Sequence, residues 1–114
     1  MLIGVNSEDA RLCSQLAVMC NENNFEIIFI NEGEERVFPS AAKDINYVVV
    51  DLDFNIKTAM NRCKQYNQIE CMVFGVIANP TKSIILKAKA AGCLIVLTRS
   101  NFVANFSDII KKTK

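Results

Sequence analysis

The pattern of hydrophobic and polar positions predicts five buried strands, and the strand over residues 47–53 is the central one. Residues 47–50 are β-branched or aromatic with no polar alternation, which is typical of a strand buried on both faces in the middle of a parallel sheet. Similar apolar runs predict the other strands over residues 2–5, 25–30, 71–77 and 94–97.

The segments between these strands carry apolar residues at helical spacing, which predicts amphipathic helices. The apolar stripes consist of Leu12, Leu16 and Met19 in the first helix; Ile56, Ala59, Met60 and Cys63 in the third, with Tyr66 as a further candidate; Ile84, Ile85, Ala88 and Ala91 in the fourth; and Phe102, Val103, Phe106, Ile109 and Ile110 in the last. The second helix, over 34–43, contains Pro39 and is expected to be short, broken or displaced, because proline removes a helical hydrogen bond.

Polar residues predict where the helices begin and end. Glu8 and Asp9 are expected in the first turn of the first helix, because carboxylates favour the positive helix end. Gly92 is expected to end the fourth helix, as glycine ends many helices. The predicted N-caps are Ser7 for the first helix, Asn79 with Pro80 after it for the fourth, and Ser100 or Asn101 for the last.

Strand and helix therefore alternate five times, at intervals that suit right-handed crossovers. This pattern predicts an α/β fold of three α/β/α layers, with five parallel strands in the flavodoxin-like order 2-1-3-4-5. The sequence contains no internal repeat, low-complexity segment or linker, so a single domain over residues 1–114 is expected.

The absence of histidine excludes several chemistries. A chain of 114 residues without histidine has no Ser-His-Asp or Cys-His catalysis, no phosphohistidine and no histidine metal site. The formal net charge of +1 gives no bias toward nucleic acid or acidic membranes, and we predict neither as a partner.

The five cysteines are odd in number and include no CxxC pair. We predict that all five are free thiols, mostly buried as small hydrophobic residues. No apolar run approaches the roughly 20 residues of a membrane span. A reducing, cytoplasmic location is therefore expected.

Asp51 is the first candidate for chemistry. In open α/β sheets, ligands bind at the carboxyl ends of the strands, and Asp51 follows the central apolar run. By itself, such a residue is also compatible with a strand-end carboxylate that has no chemical role.

Three segments in the right order resemble the receiver domain of bacterial response regulators. Asp51 ends the third strand where that family has its phosphoacceptor. Residues 84–92 are similar to the family's fourth helix with its Ala-Gly ending, and Leu97-Thr98-Arg99 stands where the family has Leu-Thr-Lys. The resemblance covers almost the whole chain and implies a signalling domain rather than an enzyme.

The sequence departs from that family at most of the positions that serve phosphorylation. The resemblance places Asn6 and Ser7 at the acidic pair that holds Mg²⁺, Ala78 at the Thr or Ser position, Arg99 at the lysine, Ser100 at the proline after it and Val96 near the switch aromatic. Asp51 alone remains of that set. Asn6 and Ser7 offer oxygens without charge, whereas Mg²⁺ prefers carboxylates. Arg99 is compatible with two roles: it can stand in for the lysine, although its planar fork has a different shape, or it can pair with Asp51 and occupy the site permanently.

These departures favour a degenerate receiver, or pseudo-receiver, that binds proteins independently of phosphorylation and needs no cofactor. The alternative is a working response regulator in which a histidine kinase phosphorylates Asp51 with the help of Mg²⁺. A flavodoxin-like binder of small ligands is a third possibility, but no glycine-rich turn follows the first strand.

Receivers typically signal through the face formed by their fourth helix, fifth strand and fifth helix. In this chain Leu86 falls on the outer side of the fourth helix, close to Lys82, Lys89 and Ala90. An apolar centre with a charged rim is the composition of a modest protein contact. We therefore predict that this face, with Lys111 and Lys112 of the last helix beside it, binds an acidic protein or a second copy of the chain.

Overall fold

The computed structural model describes residues 2–30, 45–53, 56–68 and 71–113. The strands are β1 (Leu2–Asn6), β2 (Glu26–Phe29), β3 (Tyr47–Asp51), β4 (Met72–Val76) and β5 (Cys93–Leu97). The helices are α1 (Ala10–Glu22), α2 (Ile56–Gln68), α3 (Lys82–Ala90), α4 (Arg99–Ala104) and α5 (Phe106–Thr113). The predicted helix over 34–43, with Pro39, lies outside the described residues.

All five strands are parallel and form one sheet in the order β2-β1-β3-β4-β5, which confirms the predicted fold class and strand order. The register places Asn6 opposite Val50, and Asp51 opposite Val76. Because parallel strands all end at the same edge, the ends of β1, β3 and β4 meet there. Arg99 follows β5, so the end of β4 lies between Arg99 and Asp51.

Two hydrophobic clusters cover the two faces of the sheet. One cluster joins the sheet to α2 and α3 and includes Val48, Val50 and Ala88. The other joins it to α1, α4 and α5 and includes Val49, Leu12 and Phe106. The central strand β3 is buried along its whole length because successive residues enter opposite clusters.

A series of aromatic contacts fixes α4 against the sheet. Tyr47 on β3 stacks on Phe74 of β4 with ring centroids 5.6 Å apart. Phe102 of α4 contacts Phe74 at 5.7 Å and Phe106 of α5 at 5.8 Å. Phe102 is fully buried, so it anchors the short helix whose first residue is Arg99.

The predicted single last helix is in fact two helices that meet at Asn105. The backbone of Asn105 has φ −112° and ψ 12°, outside the helical region, and its side-chain amide donates to the Asn101 carbonyl at 2.8 Å. This side chain bonds a carbonyl of the preceding turn, as asparagine often does at helix ends. The predicted cap, Ser100 or Asn101, was also wrong. The N-cap is Thr98, whose hydroxyl accepts from the Asn101 backbone N–H at 3.1 Å.

Two other predicted helix starts are corrected by the structure. Thr81, not Asn79, caps α3, and its hydroxyl accepts from the Ile84 backbone N–H at 3.2 Å. The exposed pair Asn79 and Pro80 belongs to the connection from β4 and does not begin the helix. Thr, Asn and Ser are all good caps, so the choice depends on where the connection allows the helix to begin.

The first helix begins later than predicted as well. Asp9 is its N-cap and accepts from the Leu12 backbone N–H at 2.9 Å, so neither Glu8 nor Asp9 lies in the first turn. Ser7 does not cap the helix. Its hydroxyl accepts from the Asp9 backbone N–H at 3.1 Å and donates to Asp51.

Gly92 lies just after the end of α3, as predicted for a glycine that ends this helix. Its φ of +112° is disfavoured for residues with a side chain. A Cβ atom at this position would also lie 2.7 Å from Cβ of Asn67. Gly92→Ala is therefore expected to destabilise the protein by about 1–3 kcal/mol, which thermal unfolding will detect as a fall in Tm of roughly 5–10 °C. Ser83→Ala, at an exposed site on the same helix, is the control and should leave Tm nearly unchanged. An unchanged Tm for Gly92→Ala would show that this backbone conformation is not required.

All five cysteines are free thiols, as predicted, and four of them are buried. Within the residues that the structure describes, every helix is too short or too polar to span a bilayer.

Candidate functional site

Asp51 lies at the carboxyl end of β3 and is only 6% exposed. Each of its two carboxylate oxygens accepts two hydrogen bonds. Oδ1 accepts from Nη2 of Arg99 at 2.9 Å and from the Asp53 backbone N–H at 3.0 Å. Oδ2 accepts from the Ser7 hydroxyl at 2.8 Å and from the same Arg99 nitrogen at 3.0 Å. The protein itself therefore satisfies the hydrogen-bonding capacity of this carboxylate.

Arg99 is the centre of the site, because each of its guanidinium nitrogens faces a different carboxylate. Nη2 contacts Asp51, and Nη1 lies 2.7 Å from Oδ2 of Asp53. Nε lies 3.6 Å from Oδ2 of Asp9, which is a charge contact rather than a hydrogen bond. A planar fork with several donors makes this arrangement, whereas a lysine ammonium would present one compact charge.

The Asp53 carboxylate connects this ion-pair network to β4. Its Oδ2 also accepts from the backbone N–H of Ala78 at 2.8 Å. Ala78 has only a methyl side chain, so at this position the chain contributes a backbone donor and no hydroxyl. Arg99 reaches Asp51 across the end of β4, where Ala78 lies.

The carboxylates also hold the charge of Arg99. Burial lowers the pKa of its guanidinium, but the hydrogen bond and the charge of Asp51, together with those of Asp53, outweigh that effect and raise the pKa above its ordinary value. Arg99 is thus a permanent cation. The three carboxylates and one guanidinium leave a formal local charge of −2. Two of these carboxylates, Asp9 and Asp53, are partly exposed to solvent.

Asn6 belongs to a separate buried network on the other face of the sheet. Its Oδ1 accepts from Nη1 of Arg62 at 2.7 Å, and its Nδ2 donates to the Tyr66 hydroxyl at 3.2 Å. All three residues are buried, and both partners belong to α2. The oxygen of Asn6 is therefore bound to a cation and is not directed at Asp51.

The structure brings together Ser7, Asp51, Ala78 and Arg99 of the residues singled out in the sequence, and it separates Asn6 from them. Sequence analysis missed the contributions of Asp9 and Arg62. Asp9 looked like a helix-start residue, and it is one, but its second oxygen faces Arg99. The signal for Arg62 was its position beside the buried stripe of α2, where a charged residue requires a buried partner.

These residues do not fit a resident Mg²⁺ ion. Such an ion takes oxygen ligands, preferably carboxylates, in near-octahedral geometry. Here a guanidinium lies between the three carboxylates, and the oxygen of Asn6 is bound to Arg62. Among the described residues, no group of three or more Asp, Glu, Cys or His side chains is placed to hold a metal.

A cleft of about 540 Å³ opens beside Arg99 between α1 and α4. Arg11 and Gln15 of α1 line one side, and Ser100 and Ala104 line the other. The network around Asp51 is therefore accessible from solvent on the side of Arg99.

The predicted interaction residues lie apart from Asp51, on the outer surface of α3. Lys82, Leu86, Lys89 and Ala90 are all exposed, and Leu86 is 59% exposed, the largest fraction for a large hydrophobic side chain among the described residues. Among the expected buried positions of this helix, Ala88 is fully buried, and Ile84 and Ile85 are half-buried. The exposure of Leu86 agrees with the prediction, while its role in binding stays a prediction.

Comparison with known proteins gives matches at the level of structure. No family model and no curated protein sequence matches the chain. A response regulator from Thermotoga maritima superposes with a TM-score of 0.80 at 20% identity, covering 96% of this chain and 97% of that one. A CheY-like receiver domain protein from Methanospirillum hungatei JF-1 gives a TM-score of 0.80 at 10% identity, with coverages of 98% and 91%. A response regulator protein from Burkholderia pseudomallei, solved with a phosphorylated aspartic acid, a calcium ion and citrate, gives 0.74 at 11% identity, with coverages of 98% and 72%.

Proposed function

We propose that this chain, which has the fold of a response regulator receiver domain, is a pseudo-receiver that binds other proteins independently of phosphorylation. The hydrogen bonding of Asp51 carries the proposal. A phosphoacceptor needs one carboxylate oxygen free to attack phosphorus, and here each oxygen accepts a hydrogen bond from Arg99 and a second one from Ser7 or Asp53.

The local charge supports the same conclusion. Phosphoryl transfer to a carboxylate brings a dianionic group against an anion, and catalysis depends on cations that neutralise the developing charge. The formal charge of the site is −2 even with Arg99 present, and Arg99 is already bound to the carboxylates. An incoming phosphoryl group would have to displace this arginine or meet uncompensated negative charge.

Under this proposal the domain has no catalytic activity and no cofactor, and its output depends on protein contacts. Leu86 with Lys82, Lys89 and Ala90 forms the contact, which we call the α3 face. Its lysines favour an acidic protein or an acidic surface on a second copy, since complementary charge steers association. A cytoplasmic location, without nucleic acid or membrane as partner, belongs to the same proposal.

The alternative is a phospho-accepting response regulator. Asp51 occupies the strand-end position, and one solved relative of this fold carries a phosphorylated aspartic acid. This alternative requires Arg99 to leave Asp51 when the donor and Mg²⁺ arrive. It predicts a Mg²⁺-dependent phosphorylation of Asp51, which a measurement of intact mass detects.

Incubation with acetyl phosphate and Mg²⁺ tests the proposal directly. We expect the intact mass to stay unchanged, because both oxygens of Asp51 are engaged. A response regulator known to accept phosphate from this donor, treated in parallel, serves as the positive control. Beryllofluoride with Mg²⁺, monitored by NMR, tests the same site without a covalent step.

A Mg²⁺-dependent gain of one phosphoryl group that disappears in Asp51→Asn would overturn the proposal and establish the alternative. A gain that persists in Asp51→Asn would indicate labelling elsewhere and would leave the assignment of Asp51 as an inactive position intact.

A further inference from the structure

Two buried cysteines from distant parts of the chain touch each other beneath α3. Sγ of Cys63 on α2 lies 3.3 Å from Sγ of Cys93 on β5, and the two residues are 30 positions apart. Cys63 is fully buried and Cys93 is 5% exposed. Neither belongs to the network around Asp51 or to the α3 face.

We propose that Cys63 and Cys93 form an oxidation site, at which an oxidant of the peroxide class joins the two sulfurs in a reversible intramolecular disulfide. The geometry is the basis of this inference. An S–S bond is about 2.05 Å long, so the sulfurs have to approach by little more than 1 Å. Rotation of the two side chains has to supply that movement.

The other thiols are differently placed. The sulfur of Cys71 donates to the Ile45 carbonyl at 3.3 Å, and that of Cys13 donates to the Ser7 carbonyl at 3.5 Å. Cys20 is fully buried in the cluster on the opposite face of the sheet. Oxidation of the folded protein is therefore expected to join one specific pair.

The two thiols also differ in reactivity. The hydrogen bond between the two thiols lowers the pKa of the Cys93 thiol, although burial opposes this effect, whereas that same contact and burial raise the pKa of Cys63. Cys93 is thus the better nucleophile of the pair, because the thiolate is the form that reacts. Its slight exposure also makes it the first of the two that an oxidant meets.

The reaction balances with one molecule of hydrogen peroxide. The Cys93 thiolate attacks one peroxide oxygen, the O–O bond breaks, and a sulfenic acid forms while the leaving hydroxide takes a proton to become water. The Cys63 sulfur then attacks the Cys93 sulfur, the S–O bond breaks, and the thiol proton leaves with the hydroxyl group as a second water. Two electrons pass from the two sulfurs to the peroxide.

The consequence for the fold is a closed loop that contains β4 and the whole of α3. A disulfide across a loop of this length removes conformational freedom from the unfolded chain and is expected to raise Tm. Because α3 lies inside the loop, its attachment to the sheet would depend on the redox state. The oxidation site itself does not depend on the proposed function, since it rests on a different part of the molecule.

The test uses the intact protein treated with hydrogen peroxide, followed by alkylation of the remaining thiols under denaturing conditions. We expect the thiol count to fall from five to three, the mass before alkylation to fall by two hydrogens, and a single linked pair of tryptic peptides containing Cys63 and Cys93. Dithiothreitol should restore all five thiols, and the oxidised protein should have the higher Tm.

Matched variants decide the assignment. Cys63→Ser and Cys93→Ser should each abolish the linkage, whereas Cys13→Ser, which removes the most exposed thiol, should leave it intact. If either of the first two variants fails to fold, the peptide map of the wild-type protein remains decisive. Five thiols after peroxide treatment, linkage between other cysteines, or disulfide-linked dimers on a non-reducing gel would each overturn the proposal.

Discussion

Replacing Arg99 with alanine is expected to destabilise the protein by about 2–4 kcal/mol and to create a binding site for Mg²⁺. Arg99 is the cation that Asp9, Asp51 and Asp53 share. Its removal leaves three carboxylates facing one another, and Asp51 is buried. An uncompensated buried charge is costly, and carboxylates in proximity repel.

The expected Mg²⁺ binding follows from the same geometry. Asp9, Asp51 and Asp53 are not placed to hold a metal while Arg99 separates them, but without the guanidinium their carboxylates can close on the vacated position and form the oxygen-rich, anionic environment that divalent cations prefer. Millimolar Mg²⁺ should therefore recover part of the lost stability, because a ligand that binds only the folded state raises its apparent stability. In the wild-type protein Mg²⁺ should have little effect.

Thermal unfolding with and without Mg²⁺ measures both effects, and calorimetric titration measures the binding itself. Arg11→Ala is the matched control, because Arg11 lines the same cleft but is exposed and contributes to none of the ion pairs around Asp51. If Arg99→Ala is as stable as the wild-type protein and Mg²⁺ does not shift its Tm, then Arg99 is not the internal cation of this site.

A companion variant separates two reasons for the absence of a metal. Asn6→Asp with Ser7→Asp adds two carboxylates while Arg99 remains. If this double variant binds Mg²⁺ and Arg99→Ala does not, the missing ligands are responsible rather than the occupied position. The opposite result is the one we expect, because Asn6 faces Arg62 and not Asp51.

Leu86→Glu is expected to abolish association through the α3 face while changing Tm by no more than a few degrees. Leu86 is 59% exposed, so its replacement removes little buried area within the monomer. In a contact, the glutamate would bury a charge at the apolar centre and would repel the acidic partner that Lys82 and Lys89 attract. The loss of binding should therefore far exceed the loss of stability.

Analytical ultracentrifugation over a range of concentrations measures self-association, and affinity capture from cells of the source organism measures binding to other proteins. Val18→Glu is the matched control. Val18 is 57% exposed on α1, a helix on the opposite face of the sheet from α3, so the same chemical change should leave binding intact. Equal behaviour of the two variants, with binding either kept or lost in both, would refute the assignment of this face.

The amino-acid sequence by itself determined the class of fold and the position of Asp51. The unbroken apolar run before Asp51 requires a strand buried on both faces. Such runs alternate with segments of helical periodicity, and this alternation favours a parallel sheet over other arrangements of the strands. The departures at Asn6, Ser7, Ala78 and Arg99 were also visible in the sequence. These features are readable because burial imposes a regular spacing of apolar residues within each strand and helix. That spacing is visible in the sequence even when it is not known which elements pack together.

Only the tertiary structure decided which polar groups meet. Arg99 reaches Asp51 across the end of β4, from two strands away, and this depends on the strand order and the register of the sheet. The sequence also left the helix starts undetermined. Several residues that can serve as N-caps stand close together at each start, and they differ little in intrinsic preference. Thr98 is the cap that places Arg99 at the first position of α4, from which its guanidinium reaches all three carboxylates.

The same reason explains the two pairings that the sequence concealed. Asn6 with Arg62, and Cys63 with Cys93, each join residues 30 or more positions apart. Each residue alone has an ordinary local explanation, as a strand end, a helix residue or a small buried side chain. Their contacts arise because the fold brings α2 against both the last residue of β1 and the first residue of β5. No spacing of residues within one helix or strand reveals which elements will pack together.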